Sequence, residues 1–146
     1  MKNNRLIEDY LAKPYWVIDF LPKQVPADSK GQFFNIEKHL LEDSQHGILL
    51  QKFANVLLKL NCYYDFDVCR CAIDEWSANP SPDLLSSWVA ENESLCIIIN
   101  DADAMITLNR DDINMTLYNP REELLELARD IATSEGLFLW NSQVNG

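Results

Sequence analysis

Glycine is scarce in this chain, and the four present, Gly31, Gly47, Gly136 and Gly146, are too scattered to build a Walker loop or a dinucleotide fingerprint. The sequence has no CxxC pair, which removes the paired spacing of a structural zinc site, and no GxSxG elbow for an activated serine. An EF-hand loop fails at Met105, where a further oxygen ligand would have to stand. No apolar run approaches the length that crosses a bilayer; the longest, such as residues 95–99, have about five members. Residues 1–5 lead into an amphipathic stretch and not into a signal-peptide core, so a cytoplasmic protein without a membrane partner is expected. Positive charge is nearly missing from the second part of the chain. Residues 61–146 carry only Arg70, Arg110, Arg121 and Arg129 against sixteen Asp and Glu, a net of −12. Residues 1–60 hold eight Lys and Arg against seven acids. Such a field repels nucleic acid and anionic lipid and favours cations or basic proteins, so no nucleic acid is expected as a partner.

What is present describes a folded chain. Its 146 residues, 47% of them apolar, suit one globular domain over 1–146. Cys62, Cys69, Cys71 and Cys96 are read as free, largely buried thiols. Leu6, Ile7, Tyr10 and Leu11 recur at helical spacing and predict a first helix that stops near Pro14. Residues 15–20 read as a strand and 21–31, with Pro22, Pro26 and Gly31, as a loop long enough to be a minor candidate site. A helix is expected over 33–41. A core helix follows over 47–60, its Gln51, Lys52, Asn55 and Lys59 falling on one narrow stripe.

Tyr64, Phe66 and Val68 alternate with Asp65 and Asp67, the period of a strand over 63–71, although Val68, Cys69, Ala72, Ile73 and Trp76 also fit one helical face. Ser81, Pro82 and Asp83 open a helix to about 90. Strands over 95–100, 104–109 and 113–118 with short polar turns form an antiparallel meander. Asn119 is expected to cap a last helix, Gly136 to end it, and residues 137–140 to form a buried closing strand. The fold class is therefore α+β: a mainly antiparallel sheet of about five or six strands, helices packed on one face, and a C-terminal strand-helix-strand crossover.

Chemistry-bearing residues cluster in two ways. Tyr63, Tyr64, Asp65, Asp67, Asp74, Glu75 and Trp76 interleave rings with carboxylates, the composition of an interface for Lys and Arg of a partner. The meander turns add Asp101 and Asp103, grouped with Glu122 and Glu123, and at the opposite sheet end Asp111 and Asp112 beside Glu91 and Glu93. Either group has the oxygen chemistry of a calcium site, although acidic turns that solvate the sheet ends explain them more simply. His39 and His46, seven residues apart, read as surface or capping histidines.

The segments Tyr15-Trp16-Val17-Ile18-Asp19-Phe20-Leu21-Pro22 and Asn119-Pro120-Arg121-Glu122-Glu123-Leu124-Leu125-Glu126-Leu127, with the ending Glu135-Gly136-Leu137-Phe138-Leu139-Trp140, resemble those of small acidic bacterial proteins of uncharacterised function. The resemblance covers about a third of the chain and brings no residue roles. Some proteins of this size and charge are immunity proteins that neutralise basic toxins, an analogy of size and charge only. The expectation is a non-enzymatic protein-binding domain without catalytic residues, metal or cofactor, whose acidic face engages a basic protein partner; a homo-oligomer is also compatible. The alternative is a carboxylate-based, metal-dependent hydrolase using Asp65, Asp67, Asp101 or Asp103.

Overall fold

Pro14 cannot continue a helix, and the first helix, α1 (Lys2–Leu11), gives way just before it to strand β1 (Tyr15–Asp19). The computed structural model describes residues 2–28 and 30–141. The further elements are α2 (Phe33–Leu40), α3 (Asp43–Asn61), β2 (Asp67–Arg70), β3 (Glu75–Ala78), α4 (Pro82–Ala90), β4 (Leu95–Ile99), β5 (Ala104–Leu108), β6 (Asn114–Tyr118), α5 (Glu122–Ser134) and β7 (Phe138–Trp140). The strands form one antiparallel sheet in the order β3-β2-β4-β5-β6-β1-β7. The architecture is α+β, as expected. β6 and β7 both pair antiparallel with β1, so they run parallel to each other with the first strand between them and α5 as the crossover.

Three details differ from expectation. The sheet has seven strands because Glu75–Ala78, with one large apolar side chain, pairs with β2 as an edge; nothing in its pattern distinguishes such a strand from a loop. The anticipated strand over 63–71 shrinks to Asp67–Arg70, followed by a 3-10 turn at Cys71–Ile73. The helices are also not confined to one face. α3, α4 and α5 cover one side, where Phe53, Leu57, Leu60, Leu85, Ile97 and Ile106 are inaccessible to solvent. α1 lies on the other, its Tyr10 packed with Ile98 and Met105 and flanked by Leu6, Ile7, Trp76 and Tyr118. This double cover explains why all five positions of both β4 and β5 are buried, whereas β6 alternates.

The scarcity of glycine is made good by Asn and Asp. The six non-glycine residues with positive φ among the described residues are Asp74, Asn79, Asn92, Asp103, Asp111 and Asn119, the types that best tolerate the left-handed conformation. Asn119 therefore cannot cap α5: its φ is +60°, and its side chain instead donates to the Asp103 carbonyl at 2.8 Å. Arg121 takes the cap position, with Glu122 and Glu123 in the first turn favouring the helix dipole. Ser81 does cap α4, accepting from the Leu84 N–H at 3.3 Å, and Gly136 leaves α5 at φ +74°. Replacing exposed Asp74 (φ +48°) by Ala is expected to cost about 1 kcal/mol, while Asp74→Gly stays within a few tenths, as read by urea denaturation.

Candidate functional site

The end of the sheet where β4 turns into β5 gathers carboxylates that form no ion pair among the described residues. Asp65, just ahead of β2, Asp67 at its start and Asp101 in the β4–β5 turn line one open hollow of about 290 Å³ with Asn79 and Asn100. Asn100 donates to Asp67 at 2.7 Å, which ties the turn to β2. Asp103 stands at the same end, where it accepts the Tyr10 hydroxyl at 2.8 Å; burial and this bond push the Tyr10 pKa up to about 12. Tyr63 is exposed (67%) and Tyr64 half-buried; burial and the charge of Glu123 raise the Tyr64 hydroxyl, which puts the start of α5 beside it. Lys13 shares a hollow with Asp103 but makes no ion pair with it.

The remaining predicted site residues lie elsewhere. Asp74 and Glu75 sit at the opposite end, in the β2–β3 hairpin, and Trp76 faces α1. There Arg70 bridges Glu93 at 3.0 Å and Glu75 at 3.4 Å, with its guanidinium 5.0 Å from the Trp88 ring. The fourteen-residue run from Tyr63 to Trp76 thus does not form one surface, because β2 carries its two halves to opposite ends. Among the described residues the other ion pairs are Lys59–Glu135, which joins α3 to the end of α5, and His39–Glu42. His46, expected at the surface or as a cap, is buried and its Nε2 lies 3.3 Å from the Asp112 carbonyl. Among the described residues no three His, Cys, Asp or Glu converge in a way that would hold a metal ion.

Two features were missed by sequence reasoning. Asp19, the last residue of β1, is 6% exposed and lines a cavity of about 300 Å³ enclosed by the loop after β1, the start of α2, Asn114 and Trp140. Burial pushes its carboxyl up to about 6, against the pull of the Phe20 N–H at 2.7 Å, the Leu21 backbone and the Trp140 side chain. The length of the 21–31 loop signalled this place; that the residue before it points inward did not show in a strand read as apolar. The second feature is a thiol cluster. Cys69 and Cys96 are cross-strand partners, and the Cys71 sulfur lies 3.5 Å from that of Cys96. The hydrogen bond between these two sulfurs lowers the Cys71 pKa to about 7, while the Cys96 pKa moves strongly upward through the same bond and through burial.

Comparison with protein-family models, with curated proteins and with solved structures finds no match to the chain, so its own geometry carries the functional reading.

Because Asp19 binds its proton more tightly folded than unfolded, stability falls as pH rises from about 4 to about 6 and gains nothing further above. Asp19→Asn is expected to be more stable than the wild type at neutral pH and to lose that advantage toward pH 4, measured as the difference in Tm. Maleimide labelling read by mass spectrometry should modify Cys62 and Cys71 rapidly and the buried Cys69 and Cys96 only on unfolding.

Proposed function

We propose that this is a non-enzymatic protein-binding domain whose acidic sheet end receives a basic partner, with an immunity-type, cytoplasmic protein as its most concrete form. The observation that carries the reading is the division of ion pairs. Arg70 answers Glu75 and Glu93 at one end, while among the described residues Asp65, Asp67, Asp101 and Asp103 form no ion pair. Unanswered carboxylates around an open hollow, with the exposed Tyr63 two residues from Asp65 in the chain, suit Lys and Arg side chains from another protein. The hydrolase alternative has less support, because that hollow brings its acids together without a metal-holding arrangement among the described residues. Asp74, Glu75 and Trp76 play no part in this surface.

The association should be sensitive to salt, because screening shortens the reach of the field to about 3 Å at 1 M from about 10 Å at 0.1 M. Pull-down from the native host's extract, with wild type and an Asp65→Asn, Asp67→Asn, Asp101→Asn variant, is expected to recover a basic protein at low salt. Both high salt and the variant should lose most of it. Recovery that is equal in all arms, or no partner at either salt, would count against the reading.

A further inference from the structure

A carboxylate out of contact with water normally has a cation to answer it, since an isolated buried charge is costly. Among the described residues Asp19 has none: no Lys, Arg or His of these forms an ion pair with it, and the rest of the cavity lining is neutral. We propose that the cavity beside Asp19 binds a small organic ammonium with an apolar body, the cation meeting the Asp19 carboxylate and the body packing on Val25, Phe33 and Trp140.

Five observations support this occupant. The volume, about 300 Å³, lies at the lower end of pockets that take small molecules. The wall is largely apolar, while Asn114, the cross-strand neighbour of Asp19, offers one neutral polar group beside the carboxylate. Trp140 presents an aromatic surface, the side chain best suited to a neighbouring cation, and its indole N–H is held by the Leu21 carbonyl at 3.1 Å. Phe34, 81% exposed at the mouth, is the ring that an apolar ligand would cover. The net charge of −11 concentrates cations around the whole chain and disfavours anions.

The proton on Asp19 competes with the ligand. The groups that face it from β6, β7, the 21–31 loop and α2 are Asn114, Trp140, Leu21 and Phe33, none of them titratable, and the loop's Lys23, Asp28 and Lys30 are exposed outside the lining. An ammonium binds the ionised form, so its affinity should be level above about pH 6 and fall about tenfold by about pH 5.

Titration calorimetry of the full chain with phenethylammonium, phenethyl alcohol and hydrocinnamate separates cation, neutral and anion with one body. The expected result is a preference for the ammonium over the alcohol of at least about tenfold near pH 8, mostly lost near pH 5. Asp19→Asn keeps an acceptor oxygen for the Phe20 N–H and should erase the preference while its thermal melt shows a folded protein. If that variant does not fold, the wild-type pH profile decides alone. Equal binding of ammonium and alcohol, tighter binding of hydrocinnamate, an unchanged affinity in Asp19→Asn, a flat pH profile, or no saturation of any probe by about 10 mM would overturn the proposal.

Discussion

The burial of β4 and β5 on both faces is the constraint on which the rest of the structure depends. Ten buried positions in two neighbouring strands need a cover on each side, so the three-helix layer alone is insufficient and α1 is required against Ile98 and Met105. The central pair then sets the sheet register, because a shift by one residue would exchange the Ile97, Ile99 and Ile106 side chains with Cys96, Ile98 and Met105 across faces of different depth. The two sheet ends, where polar turns collect, follow from that register.

The chain's acidity serves two purposes that composition alone does not separate. Asp74, Asp103 and Asp111 hold left-handed turns, a role that a glycine-poor chain must give to Asp or Asn. Asp65, Asp67 and Asp101 lie around an open hollow and project charge outward. Between them, Arg70 neutralises only the hairpin end. The polarity of the surface is thus set less by how many acids there are than by where one guanidinium is placed.

Much of the fold was legible. The stripe of Gln51, Lys52, Asn55 and Lys59 marked the solvent side of α3, where Gln51 and Lys59 are exposed and Lys52 and Asn55 half-buried, and the apolar run at residues 95–99 marked a strand, whose cover on both sides was not expected. These signals survive because they sum over many residues of one type. The misses are local. Asn119 has the side chain of a helix cap, but tertiary contact with Asp103 fixes it in a turn, and β3 has too few apolar positions to announce a strand. Of the candidate site, Asp65, Asp67, Asp101 and Asp103 were assigned as binding residues, and the structure gathers them at one end. Asp74, Glu75 and Trp76 were grouped with them by nearness in sequence, a grouping that a four-residue strand undoes. Asp19 carried no pattern, since the depth of one carboxylate depends on strands contributed from the far end of the chain.

That dependence reaches back to how the chain is made. β1 leaves the ribosome well before β7, so its outer edge waits for that strand; the Trp140–Leu21 hydrogen bond spans 119 positions. Pairing so distant is slow to form, and an unpaired strand edge invites foreign strands. A chain in which that pairing has not yet formed therefore leaves the outer edge of Tyr15–Asp19 open, and Phe138–Trp140 is the strand that shields it.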